Sequence, residues 1–201
     1  MTKGVKLSEQ NNCRVVIFLD VDGVLNSHRS AIAYGGFRDK DLDPVAIKLL
    51  DRLARKLIEA GFRPEVVISS TWRLMRPQLR WWEDLFDHHG CVALRVVGIT
   101  PEFGDNEPQR RGREVAAWME QFGGGAPYVC LDDDSDFLPG QPLVLTNHLH
   151  GLEVEHIAEA FRLVVGREMF DPPLPARKWA LIRALTNKAP AGPLQPQGSR
   201  P

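Results

Sequence analysis

The chain of 201 residues has few cysteines and no long apolar segment. Its three cysteines, Cys13, Cys91 and Cys130, are widely spaced, with no CxxC pair and no histidine pair at zinc spacing. This pattern argues against a disulfide framework and a structural zinc site and indicates reduced thiols. No stretch has the apolar length of a signal-peptide core or a transmembrane helix. We therefore expect a cytoplasmic protein with no membrane partner.

An excess of charge of either sign is also missing. The 25 Lys and Arg nearly balance the 26 Asp and Glu, so no global field favours nucleic acid or an acidic membrane as an obligatory partner. The 43% hydrophobic content suffices for one core. We expect a single domain over residues 13–186, with flexible tails at 1–12 and at 187–201, where Pro and Gly are abundant.

Short apolar runs alternate with segments of helical periodicity. The runs predict strands at 14–19, 65–68, 92–99, 128–131 and 143–145. Helical spacing predicts helices at 44–60, 77–89, 113–122 and 151–165, the first with Asp43 as N-cap and Pro44 at its first position. Because parallel strands need crossover helices, this order predicts an α/β fold with a doubly wound, mainly parallel sheet.

Polar residues follow the predicted strands where ligands of such sheets collect. Asp20 and Asp22 follow the first strand, Ser69 the second, and Asp132 with Asp133 the fourth. A carboxylate such as Asp20 can attack phosphorus and form an aspartyl phosphate, while Asp22 can protonate the leaving oxygen and later deprotonate water. These residues point to phosphoryl transfer.

The other groups of such a site are also present. Gly23 allows a sharp turn beside the phosphate. Ser69 can donate a hydrogen bond to a phosphoryl oxygen, and Arg111 or Arg113, both near the start of a predicted helix, can neutralise developing charge. Crowded carboxylates near a phosphate need a hard cation, which indicates Mg²⁺. The ligands we expect are Asp20, the main-chain carbonyl of Asp22, Asp132 and Asp133.

Four segments resemble the motifs of the haloacid dehalogenase (HAD) superfamily, and most closely the HAD domain of Swiss Army Knife RNA repair proteins. They are DVDGVLN at 20–26, VVISS at 66–70, Arg111 with Gly112, and VCLDDDSD at 129–136. The resemblance implies a Rossmann-like sheet, an aspartyl-phosphate mechanism and Mg²⁺. The segments after Asp22 and after Ser69 are too short for a large cap domain, which favours an open site.

Several roles stay open at this stage. Arg111 is favoured over Arg113 as the basic group, because a basic residue followed by Gly and a helix is common in the superfamily; Arg113 is then assigned to substrate binding. Ser69 is favoured over Ser70, which is assigned to substrate binding with Gly23. Asp133 is favoured over Asp136 as the second acidic ligand.

A basic and aromatic interval follows the second motif. Trp72 and Arg73, nearest the strand end, are candidates to stack on and clamp a nucleotide. The competing interpretation, which is stronger for the interval as a whole, is that its tryptophans pack in the core and its arginines are solvated. The six histidines show no ligand spacing and are expected on the surface or in loops.

The preferred function is that of a Mg²⁺-dependent phosphatase acting on a phosphomonoester, such as a nucleotide or a nucleic-acid end. The alternative is a catalytically idle phosphate-binding or interaction module that keeps the same fold. Transfer to an acceptor other than water would use the same aspartyl phosphate. The set of Asp20, Asp22, Ser69 and the Asp132–Asp133 pair favours the enzyme, because an idle module has no need of it.

Overall fold

The computed structural model describes residues 13–34, 42–104 and 108–170. The described residues up to Met169 belong to one compact unit, and only Phe170 is described of the remaining stretch. The expectations for the two tails and for residues 171–186 therefore lie outside the described residues. No helix within the described ranges has the length and apolarity that a membrane span requires.

Five parallel strands form one sheet in the order β3-β2-β1-β4-β5. The strands are β1 (Cys13–Leu19), β2 (Phe62–Ile68), β3 (Val96–Ile99), β4 (Tyr128–Asp132) and β5 (Leu143–Leu145). The central strand β1 is fully buried from Val15 onward, as expected of a parallel strand covered on both faces. The predicted doubly wound α/β fold is confirmed, and the described residues form no large cap domain.

Helices connect the strands. They are α1 (His28–Tyr34), α2 (Pro44–Glu59), α3 (Trp72–Met75), α4 (Leu79–His88), α5 (Arg110–Trp118) and α6 (Val154–Val165), and α5 continues as a π-helical turn, Met119–Gly123. The predicted start of α2 is confirmed, because the Asp43 carboxylate accepts a hydrogen bond from the Val45 amide and Pro44 is the first helical residue.

Some predicted boundaries were wrong. The third strand begins at Val96 rather than at residue 92, α4 begins at Leu79 rather than at residue 77, and α5 begins at Arg110 rather than at residue 113. The last helix begins at Val154 rather than at residue 151. Helices α1 and α3 were not predicted.

The core on one side of the sheet surrounds Phe18. Its ring meets those of Trp118 and Tyr128 edge to face, at 5.5 and 5.7 Å between centroids. Trp118 ends α5, so this packing fixes the helix whose first turn carries Arg111. The core thereby sets the position of a basic group at the carboxyl edge of the sheet.

Candidate active site

Three carboxylates meet at the carboxyl ends of β1 and β4. Oxygens of Asp20, Asp132 and Asp133 all lie within 4.8 Å of one another. Asp20 is 5% exposed and Asp132 1% exposed. The pairing of β1 with β4 brings the two strand ends together, and the Asp20 amide donates to the carbonyl of Leu131. Residues 112 positions apart in the sequence thus become neighbours.

Burial perturbs these carboxyl groups. It raises the pKa of Asp20, against the lowering effect of the Arg111 charge and of a hydrogen bond with the Ser70 side chain. Burial also raises the pKa of Asp132, and the charge of Asp20 raises it further. The pKa of Asp133 is raised for the same first reason, its burial. Burial therefore disfavours the ionised form of each carboxyl group in the cluster.

Arg111 supplies positive charge to this cluster. Its Nη2 lies 3.6 Å from Asp20 Oδ1, and its Nε lies 3.4 Å from Asp132 Oδ2. Arg113 is exposed, with its guanidinium over the ring of Phe103 at 5.9 Å from the centroid. Of the two arginines weighed from the sequence, only Arg111 makes ion pairs with both Asp20 and Asp132 in the described parts of the chain.

Two polar atoms at this contact are left unsatisfied. Among the described residues, Asp132 Oδ2 and Arg111 Nη1 are buried and have no hydrogen-bond partner. The ion pair at 3.4 Å joins Asp132 Oδ2 to Arg111 Nε without forming a hydrogen bond. Buried charged groups without hydrogen bonds are costly and call for an explanation. A cation at the carboxylates and an anion at the guanidinium would satisfy both atoms, so the residues present fit a divalent metal and a phosphate.

Glycine at position 23 is required by its neighbour. Gly23 has φ +71°, and a Cβ there would overlap the carboxyl group of Asp133 and lie 2.6 Å from its Cβ. The Gly23 carbonyl also accepts a hydrogen bond from the Thr146 hydroxyl at 2.8 Å. The turn therefore brings the β1 loop directly against the acidic cluster, a contact that the sequence did not reveal.

Asp136, which follows β4, contacts the first turn of α5. Its carboxylate accepts from the Arg111 amide at 3.3 Å, and its carbonyl accepts from the Gly112 amide at 2.9 Å. A Cβ on Gly112 would overlap the backbone of Leu138 and lie 2.5 Å from Gln141 Oε1. Asp136 thus fixes the helix turn that carries Arg111, while Asp133 lies in the carboxylate cluster.

The two serines after β2 differ in their contacts. The Ser70 side chain is close enough to Asp20 to lower the pKa of that carboxyl group, and its Oγ accepts from the Trp72 amide at 3.3 Å. Ser69 is 1% exposed, and its amide continues the sheet by donating to the carbonyl of Leu19. Although Ser69 is the choice from the sequence, the observed contact with Asp20 favours Ser70.

Arg73 is buried and fully occupied. Its five N–H donors reach the carbonyls of Ser69, Ser70, Thr100 and Pro101 and the Glu114 carboxylate, the last at 2.8 Å. Arg73 and Glu114 are only 3% and 1% exposed. These contacts argue for a structural role and leave the guanidinium no donor for a substrate.

Trp72 contacts Asp22. The indole Nε1 donates to Asp22 Oδ2 at 2.9 Å, and the Asn26 side chain donates to Oδ1 at 2.8 Å. Asp22 is exposed, and both oxygens of its carboxylate accept hydrogen bonds from these donors. Of the atoms of Asp22, the main-chain carbonyl that the sequence suggested is therefore the one to consider as a metal ligand. The contact of Trp72 was not foreseen.

A cavity of about 270 Å³ adjoins Asp22 and Gly23. His28 and His148 also line it, with ring centroids 5.5 Å apart and edge to face. From their spacing, both histidines were expected on the surface or in loops, with no role in the site. Their proximity was not visible in the spacing, since they are 120 positions apart.

Comparison with known proteins agrees with these motifs. A family model described as the HAD domain in Swiss Army Knife RNA repair proteins matches residues 16–157, which is more than half of the chain. No curated protein and no solved structure matches.

Proposed function

The chain belongs to the family of HAD domains in Swiss Army Knife RNA repair proteins, and from that premise we propose that it is a Mg²⁺-dependent phosphomonoester hydrolase. The family suggests phosphohydrolase activity, and the acidic cluster can bind a metal. The observation that carries the proposal is the buried contact of Asp132 and Arg111 beside Asp20. It leaves one carboxylate oxygen and one guanidinium nitrogen without hydrogen-bond partners among the described residues.

Asp20 is the nucleophile in this proposal. One of its carboxylate oxygens forms a bond to phosphorus while the ester P–O bond breaks, and the leaving oxygen takes a proton from Asp22. Water then attacks the phosphorus and gives a proton to Asp22, and the bond between phosphorus and Asp20 breaks. The two steps return both carboxyl groups to their starting states and release one phosphate.

The surrounding residues bind the phosphate. Arg111 and the hydroxyl of Ser70 both contact Asp20, so both are close to the atom that attacks phosphorus. We assign them to the phosphoryl oxygens, where charge develops, with Ser69 as the further candidate from the sequence.

Asp20, Asp132 and Asp133 would hold the metal, together with the Asp22 carbonyl. All four offer oxygen, which is the ligand that Mg²⁺ prefers. A metal bound there supplies positive charge that offsets repulsion between the carboxylates and the phosphate. Burial raises the pKa of all three carboxyl groups, and a bound cation would favour their ionised forms.

The substrate proposed is a nucleotide or a phosphorylated nucleic-acid end. No large cap domain covers the site in the part of the chain that the structure describes, so a long substrate can approach the carboxyl edge of the sheet. The family description, which refers to RNA repair proteins, supports the same class. Gly23, with the Asp133 carboxyl group against its Cα, keeps the β1 loop close to the acidic cluster where the phosphate would bind, and Arg113 and the ring of Trp72 remain candidates for contacts beyond it.

The test is phosphate release from p-nitrophenyl phosphate, nucleotides and oligonucleotides carrying a 5′ or 3′ phosphate, with Mg²⁺ or with EDTA. We expect turnover that needs Mg²⁺ and is abolished in Asp20→Asn. Asp134→Asn is the matched control, because Asp134 is exposed in the same acidic run, and only its amide contacts the cluster. Mass spectrometry of the quenched reaction should find the phosphoryl group on Asp20.

Other outcomes redirect the assignment. No release from any member of the panel, together with binding of phosphorylated oligonucleotides, would support the idle binding module instead. Turnover that rises with an added alcohol acceptor, and yields its phosphate ester, would indicate phosphotransfer.

A further inference from the structure

The carboxylate of Asp22 is held from both sides. Trp72 Nε1 donates to one oxygen at 2.9 Å and Asn26 Nδ2 to the other at 2.8 Å. Asn26 is itself 4% exposed, and its own oxygen accepts from the Gly23 amide at 3.3 Å. An exposed carboxylate would otherwise turn about its side-chain bonds, so these two donors fix its plane.

The donor on the open side comes from a different part of the chain. Asp22 belongs to the loop after β1, whereas Trp72 begins α3 after β2, 50 positions later. The Trp72 amide donates to Ser70 Oγ at 3.3 Å, which anchors its backbone. The neighbouring Arg73 binds the Ser69 and Ser70 carbonyls at 3.2 and 2.8 Å. The backbone that carries the indole is thus held in place by hydrogen bonds within the turn after β2.

The two serines bound by Arg73 are also the hydroxyl candidates of the site. Ser70 contacts Asp20, the nucleophile, while Trp72 two positions later contacts Asp22, the proton donor. One turn after β2 therefore contacts both carboxylates that the mechanism needs. A shift of that turn would move the two groups relative to each other.

We propose that Trp72 is a positioning residue, whose indole N–H aims the Asp22 carboxyl group at the leaving oxygen; this rests on the proposed function. Its role differs from stacking on a substrate base, because the part of the side chain that acts is the N–H and not the ring. General acid–base catalysis contributes roughly 10²–10⁴-fold, and its efficiency depends on the geometry of the donor.

Two substitutions separate the N–H from the ring. Trp72→Phe keeps an aromatic ring and removes the donor, whereas Trp72→Gln removes the ring and places an amide N–H the same number of bonds from Cα. With an alkyl phosphate or a phosphorylated oligonucleotide, whose leaving groups need protonation, we expect kcat of Trp72→Phe to fall at least about tenfold with little change in KM. We expect Trp72→Gln to recover most of that loss.

The leaving group supplies the decisive comparison. 2,4-Dinitrophenyl phosphate has a leaving group that departs without protonation, so Trp72→Phe should lower its kcat/KM, which reports the step that forms the aspartyl phosphate, by less than about twofold. Equal losses of kcat/KM on both substrates would overturn the inference, as would unchanged kcat of Trp72→Phe with the alkyl phosphate. Full activity in Trp72→Phe with loss in Trp72→Gln would assign the ring to substrate stacking instead. Trp81→Phe, a half-buried tryptophan on α4, is the matched control.

A measurement without turnover separates this inference from the proposed function. The indole N–H resonance of Trp72, identified by its loss in Trp72→Phe, should lie downfield and move upfield in Asp22→Ala. A chain without phosphatase activity, in which this resonance responds to Asp22→Ala, would overturn the proposed function and keep the contact. A chemical shift of this resonance that is unchanged in Asp22→Ala would overturn the positioning role, whether or not the chain has phosphatase activity.

Discussion

Asp132→Asn should stabilise the metal-free protein while removing its activity. Asp132 is 1% exposed, its Oδ2 has no hydrogen-bond partner among the described residues, and burial raises its pKa. The nearest cation, Arg111, is shared with Asp20. Asparagine keeps the size of the side chain and removes the charge, so the folded state no longer carries an uncompensated buried carboxylate.

The magnitude follows from the removed charge, since the asparagine amide leaves a neutral polar atom in the same place. A buried polar group without a partner costs about 1–3 kcal/mol when it is neutral and more when it is charged. The gain in stability is smaller than this cost, because Arg111 loses one of its two carboxylate partners in the variant. We therefore expect a net gain of about 2 kcal/mol for the single substitution. For a chain of this size that is a rise in Tm of about 4–8 °C.

The sign with pH can be worked out. A carboxyl group whose pKa is raised in the folded state binds more protons there than in the unfolded state, so stability falls as pH rises above the ordinary value of 3.8. The advantage of Asp132→Asn over the native chain should therefore be largest at about pH 8 and shrink towards about pH 5. Glutamine or alanine would be less suitable than asparagine, because each changes the volume of the side chain as well as its charge.

The assay is thermal unfolding in EDTA at both pH values, repeated with Mg²⁺. At ten times its Kd the metal should stabilise the native chain by about 1.4 kcal/mol, and Asp132→Asn should not respond. Asp134→Asn, exposed and adjacent, should unfold like the native chain in all conditions. A Tm of Asp132→Asn at or below that of the native chain in EDTA at about pH 8 would refute the reasoning.

Two further substitutions test the basic group and its support. Arg111→Lys should lower kcat at least about tenfold, because a lysine ammonium lacks the planar set of donors with which a guanidinium can bind Asp20, Asp132 and a phosphoryl oxygen together. Arg162→Lys, exposed on α6, is its control, and equal effects would count against the assignment. Gly112→Ala should lower the free energy of unfolding by about 1–3 kcal/mol in urea, since its Cβ would overlap the backbone of Leu138. Gly104→Ala, which meets nothing within 4 Å, should have little effect, and a stable Gly112→Ala would contradict the close approach.

The sheet could be predicted because its central strands are short and uniformly apolar. β1 and β4 read clearly for that reason, and the residues that end them were recognised as candidates. The start of β3 could not be predicted from the local pattern. The carboxylate of Asp51, from α2, accepts a hydrogen bond from the Ala93 amide at 3.2 Å. A partner 42 positions away thus takes a backbone donor that a longer strand would use.

Contacts between distant segments explain the remaining differences at the site. Arg73 looked available for a substrate because Glu114, its buried partner, lies 41 positions later. Trp72 gave no sign of its contact with Asp22, since an indole at that position suits stacking equally well. Which residues collect at the sheet edge follows from local patterns, whereas which atoms touch there depends on tertiary packing.

The buried pair of Arg73 and Glu114 also has a consequence for how the chain can change over time. Replacing either partner alone leaves a buried, uncompensated charge, at a cost of about 3–5 kcal/mol, which is a large part of the stability of a typical domain. A chain that lost one charge would be removed by selection before the second could follow. The two positions should therefore be inherited as one unit, and related chains should carry both charges or a matched apolar pair.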